Sequence, residues 1–130
     1  MRTLQKFELV TPTELNSYCV FERKLEDDPL VLFHLTPKSN YDSITENGFL
    51  SAASLGTGDL PSVSYAKQSS GCFANKGVIA EEDLVIFAVR FETLEQEGVA
   101  VNLSDIHVCK DEIQPVILGY CEVPKGYTIL

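Results

Sequence analysis

His34 is the residue of this chain whose setting says most about chemistry. It interrupts Leu30-Val31-Leu32-Phe33-His34-Leu35-Thr36, an otherwise apolar run of strand length. An imidazole in such a run must be hydrogen-bonded or open onto a cleft, because burying it unpaired costs about 1–3 kcal/mol. Two Cys-His nucleophile pairs can be assembled from the remaining candidates: Cys72 with His34, and Cys109 with His107. The second pair sits two apart on one predicted strand, and same-face neighbours are not automatically partners. The four cysteines, Cys19, Cys72, Cys109 and Cys121, form no Cys-x-x-Cys pair, and His34 and His107 are the only imidazoles. This argues against a structural zinc site and for small buried hydrophobes or half-exposed thiols. There is no phosphate-cradling Gly-rich loop, no Gly-x-Ser-x-Gly elbow and no His-Glu-x-x-His.

The elements that must position these residues follow from local pattern. Thr11-Pro12-Thr13-Glu14 carries a cap, a first-turn proline and a capping-box glutamate, and predicts a short amphipathic helix over about 12–24 that Pro29 excludes from continuing. The apolar run at 30–36 predicts a central strand buried on both faces. Ser39 to Asn47 reads as a helix capped by Ser39, with Tyr41, Ile44 and Thr45 inward and Gly48 as its stop. Ser51 to Pro61 reads as a loop without periodicity. Ser62 to Ala66 predicts a short strand, Lys67 to Lys76 a polar stretch with one helical turn, and Leu84 to Phe91 the second core strand. Shorter strands follow at Val99-Ala100-Val101, Ile106 to Cys109 and Val116 to Val123. Helices early and strands late predict an α+β fold around a mixed or largely antiparallel sheet.

At 130 residues the chain fits one domain, 1–130, with residues 1–29 as an N-terminal helical extension that packs on the core. Hydrophobic residues make up 45% and charged residues 22%, a globular composition rather than a disordered one. The net charge of −9 is spread evenly: residues 1–65 hold 5 basic and 9 acidic side chains, and residues 66–130 hold 5 and 10. Phosphate tracking needs clustered Lys and Arg, so free nucleic acid is disfavoured as a partner and a basic protein surface is favoured, with Glu26-Asp27-Asp28 and Glu81-Glu82-Asp83 as candidate contact runs. No apolar run is long enough to span a bilayer, and the first residues lack the apolar core of a signal peptide, so the expectation is a cytoplasmic protein without membrane contact. The sequon Asn102-Leu103-Ser104 carries no weight in that setting.

The order of motifs adds a resemblance. His34-Leu35-Thr36 at a strand end, a helix closing in Asn47-Gly48-Phe49-Leu50 and a small-residue loop resemble the opening of the ADP-ribosyltransferase fold, in its DNA-modifying and RNA 2′-phosphotransferase branches. Ser64-Tyr65-Ala66 followed by Ser70-Gly71-Cys72-Phe73 is similar to the poly-ADP-ribose polymerase segment in which a serine binds the nicotinamide amide and an aromatic ring stacks on it; Phe73 keeps the face and loses the hydroxyl. Leu84 to Leu94 resembles the next core strand, and Ile106 to Cys109 with Ile113-Gln114-Pro115-Val116-Ile117 resembles the last pair of elements. The resemblance spans about residues 30–120.

What the resemblance implies is a split sheet holding a cleft, and an NAD-dependent ADP-ribosyltransferase acting on a macromolecular acceptor, with NAD as substrate. His34 and Thr36 would hold the nicotinamide-side ribose, Ser70 the carboxamide, and Tyr65 or Phe73 the ring. The family's catalytic glutamate position falls at or beside His107, with Asp105, Asp111 and Glu112 as the nearest carboxylates, so Glu112 or His107 would supply the electrostatic role. The phosphotransferases' arginine set has no counterpart, since Arg90 is the only arginine of the second half. The alternative is a disabled relative: the same scaffold as a small acidic binding or inhibitor protein, such as a phage-encoded antagonist of a bacterial defence complex.

Overall fold

A computed structural model of the chain describes residues 4–10, 13–16, 19–56, 58–73 and 82–126. The predicted strands form: β1 (Val31–Pro37), β2 (Val63–Ala66), β3 (Leu84–Arg90), β4 (Val99–Val101), β5 (Asp105–Val108) and β6 (Val116–Val123). They make one antiparallel sheet in the order β4-β5-β2-β1-β3-β6. With three short helices, α1 (Arg23–Glu26), α2 (Tyr41–Asn47) and α3 (Ala52–Leu55), the fold is α+β.

The two longest apolar runs, β1 and β3, lie side by side and pair along their whole length, from Val31 opposite Arg90 to Pro37 opposite Leu84. Both faces of this pair are covered, which is why the runs do not alternate with polar residues. On one face Val31, Phe33, Ile86, Ala88 and Cys121 meet Val20 and Phe21 from the N-terminal segment. On the other, Leu32, Val85, Phe87 and Val89 meet Phe49, Tyr65 and Ile106. Burying side chains of this size contributes about 1.5–3 kcal/mol each.

The sheet is nearly split. β1 and β2 share a single paired position, Phe33 opposite Ala66. Beyond it the His34 ring bridges the gap, its Nδ1 lying 2.8 Å from the carbonyl oxygen of Ser64. A side chain thus stands where a backbone ladder would continue, and the sheet opens beside it.

Three local expectations are corrected. The helix expected over about 12–24 is absent: a 3-10 turn occupies Glu14–Asn16, and α1 begins only at Arg23, while residues 11–12 and 17–18 lie outside the described residues. Tertiary partners take the backbone that a helix would use, since the Val20 N–H donates to Ser69 Oγ (2.8 Å) and its carbonyl accepts from the Val10 N–H (2.9 Å). Ser39 lies inside a 3-10 turn, Lys38–Asn40, that leads into α2, and does not cap it. The expected loop at 51–61 contains α3, capped by Ser51, whose Oγ accepts from the Ser54 N–H. Gly48 does end α2, at φ +83°, a backbone conformation that glycine adopts without strain.

The N-terminal segment packs on the sheet as an extended strap. Lys6 bridges Tyr120 in parallel along the outer edge of β6, through Tyr120 N–H to Gln5 O (3.0 Å) and Phe7 N–H to Tyr120 O (2.7 Å). The acidic run Glu26-Asp27-Asp28 works internally. Glu26 is buried and accepts from the Ser69 N–H, the Ser69 hydroxyl and the Phe21 N–H; Asp27 pairs with Arg23, and Asp28 with Arg90. No helix among the described residues is long and apolar enough to cross a membrane.

Candidate functional site

Where the sheet opens, a cleft of ≈350 Å3 lies between the end of β1 and the segment from α2 to α3. His34 and Thr36 line it from β1, one strand period apart, as the sequence requires. Asn40 and Ser43 complete a polar arc, and the remaining wall is apolar, with Phe49, Leu55 and Val63. Thr36 is buried, and its hydroxyl oxygen accepts from Asn40 Nδ2 at 2.9 Å.

The His34 tautomer is fixed by its neighbour. A carbonyl only accepts, so Nδ1 carries the proton shared with Ser64 O, and Nε2 is the basic nitrogen of the neutral ring. The ring is also held edge-on by Phe49 at 5.2 Å and tilted against Tyr65 at 5.5 Å.

Phe49 is itself held from a distance of 65 residues. Its N–H donates to Gln114 Oε1 (2.8 Å), and its carbonyl accepts from Gln114 Nε2 (2.8 Å). The same loop holds α3, because the Asp111 carboxylate accepts from the Ser54 hydroxyl and the Ser51 N–H. The loop after β5 thereby sets the position of the cleft's far wall.

Of the residues singled out in the sequence, His34 and Thr36 are brought together. The expected grouping with Ser70 does not form: Ser70 lies 3.8 Å from the Cys19 thiol, and neighbouring Cys72 packs in the core layer of Val20 and Phe21, across the sheet from Phe49. Tyr65 is not placed to stack on a ligand. It is 1% exposed, enclosed by Phe49 and Phe91, and burial pushes its hydroxyl well above the ordinary tyrosine range. The Phe73 side chain lies outside the described residues.

His107 does not line the cleft either. On β5, Ile106 and Val108 face the second core, so His107 faces the opposite way by strand alternation. There its Nε2 meets Asp105 Oδ2 (3.2 Å) and its Nδ1 meets Ser62 Oγ (3.4 Å). Asp105 is held below the usual carboxylate range, chiefly by a hydrogen bond from Asn102 and also by His107. Glu112 is exposed in the loop after β5, outside the cleft's described lining. Asn40 and Ser43, which line the cleft, and Gln114, which holds Phe49, were not singled out as site residues from the sequence. Gln114 sat within the Ile113-Gln114-Pro115 match, but its long-range partner left no local signal.

A larger open groove, ≈710 Å3, lies across Gly48-Phe49 beside Gln114 and Val116, and among its described lining residues Glu46 is the one titratable group. The smaller cleft, with its histidine and convergent hydroxyl and amide groups, is the better candidate. Among the described residues no cluster of three or more His, Cys, Asp or Glu side chains is arranged to hold a metal ion. Comparison with protein-family models, with curated proteins and with solved structures returned no match to this chain.

Proposed function

We propose that this chain is an ADP-ribosyltransferase-like domain that binds NAD in the His34 cleft and transfers ADP-ribose to a macromolecular acceptor. One observation carries the reading: His34 and Thr36 share a cleft at the opening between β1 and β2, with Gly48, Phe49 and Leu50 as its opposite wall. These are the segments on which the resemblance rests, and they are far enough apart in sequence that their convergence is a tertiary property.

On this reading His34 Nε2 accepts a hydrogen bond from a ribose hydroxyl, with the ring held in place by Ser64 and Phe49. Thr36 and Asn40 offer further hydroxyl and amide partners, and the apolar wall covers a base. Loss of nicotinamide builds positive charge on the ribose, which a nearby carboxylate would stabilise.

A second reading is favoured by the lining itself, whose described residues include no carboxylate. The same cleft then binds NAD without cleaving it, and the domain serves as an acidic binding or inhibitor protein. The net charge of −9 suits a basic protein partner.

Titrating NAD into the protein while recording heat and nicotinamide release separates these. Heat with release, both weakened by His34→Ala, supports the transferase. Heat without release supports the binding protein. No heat at any concentration refutes both as NAD proteins.

A further inference from the structure

The described lining of the His34 cleft includes no carboxylate, lysine or arginine, and this bears on which part of a nucleotide it takes. Among the described residues its polar lining is His34, Thr36, Asn40 and Ser43, with no Lys or Arg. Lys38, two positions before Asn40, is engaged by Glu122 at 2.8 Å. Proteins recognise phosphate through Arg or Lys side chains or through clustered backbone N–H groups, and a chain of net charge −9 repels a dianion further. The volume, ≈350 Å3, lies near the lower end of the range for ligand pockets, about 300–1,000 Å3. It has room for one nucleoside.

We propose that the cleft is a site for a phosphate-free ribonucleoside. Of a dinucleotide such as NAD only one nucleoside half enters, and the pyrophosphate stays in solvent. The polar arc meets the ribose hydroxyls, and the wall of Phe49, Leu55 and Val63 covers the base. The inference rests on the NAD reading above for its ribosyl chemistry, and it names the moiety that the cleft recognises.

Calorimetric titration of the full chain with NAD, adenosine, nicotinamide riboside and inorganic pyrophosphate tests it. The better-bound nucleoside is expected within about threefold of NAD, pyrophosphate is expected not to bind, and a tenfold rise in salt is expected to change the nucleoside affinity by less than about twofold. NAD binding about tenfold or more tighter than either nucleoside, or competition by pyrophosphate, overturns the inference and leaves the NAD reading standing. Nucleoside binding without NAD binding removes the NAD reading and keeps the nucleoside site. Silence with all four ligands removes both.

Discussion

The side-chain amide of Gln114 pairs with the backbone of Phe49 as a neighbouring strand would, accepting from its N–H and donating to its carbonyl at 2.8 Å each. Gln114 Nε2 also donates to the Asp111 carbonyl (2.7 Å), so one residue ties the cleft wall to the loop after β5. The fit is close: a Cβ on Gly48 would stand 2.7 Å from Gln114 Oε1, at a φ of +83° that other residues rarely adopt.

Gln114→Ala therefore removes both partners of the Phe49 backbone. Each partly buried group left unsatisfied costs about 1–3 kcal/mol, and a loss of stability in that range is expected in urea unfolding. Ligand affinity at the His34 cleft should fall with it, because Phe49 packs on the His34 ring. Unchanged stability would show that water replaces the amide at no cost.

Gly119 lets the N-terminal strap lie on β6. A Cβ there would come within 2.4 Å of the Phe7 ring and 2.5 Å of the Gln5 carbonyl oxygen. Gly119→Ala should displace the strap and expose the Tyr120 N–H, which hydrogen exchange at that amide reads directly. Protection equal to the parent protein would contradict the contact.

Glu26 is buried, and it satisfies two N–H groups and a hydroxyl on segments 5 and 43 residues away. Glu26→Ala leaves the Ser69 and Phe21 N–H groups without their acceptor and should cost more than loss of either alone, about 1–3 kcal/mol per group. Glu26→Gln retains an acceptor oxygen and should cost less. Equal melting temperatures for the two variants would refute the account.

Glu122 sits between Lys6 and Lys38, whose hydrogen bonds and charges hold its carboxyl below the ordinary glutamate range, while Lys6 and Lys38 are raised in turn. A depressed carboxylate contributes stability that is present above its unfolded value, about 4.3, and is lost as pH falls through the folded value. The raised lysines contribute stability that is present below their unfolded value, about 10.4, and is lost as pH rises through the folded values. Glu122→Gln should flatten the acid limb of a stability-against-pH curve, and added salt should do the same in the parent because both lysines are exposed and Glu122 is only half-buried.

Thiol reactivity should divide sharply. Burial pushes Cys121 up to about 12 and also raises Cys19 and Cys72, whereas Cys109 is exposed. Since the thiolate is the reactive form, iodoacetamide at neutral pH should label Cys109 first in the folded protein and the other three on unfolding. Prompt labelling of Cys121 in the folded state would show that β6 opens.

The strands were legible because their signal is local. Leu30 to Thr36 and Leu84 to Phe91 are apolar on both faces, and a run of that kind has to be an inner strand wherever it lies. Gly48 as the end of α2 and His34 as a residue in need of a partner were legible for the same reason: backbone conformation and desolvation act on the residue itself. The 12–24 segment was misread because its capping signals are local, whereas Val20 and Phe21 gain more from burial against β1 and β3 than one helical turn could give. The tertiary structure alone decided that β1 and β2 part after one pair, that Ser70 lies away from the cleft and Tyr65 is buried against His34 and Phe49 while Asn40 and Ser43 line it, and that Gln114 closes on Phe49. Each of these depends on contacts between segments tens of residues apart, whose energy is set by which surfaces meet and not by the pattern within either segment.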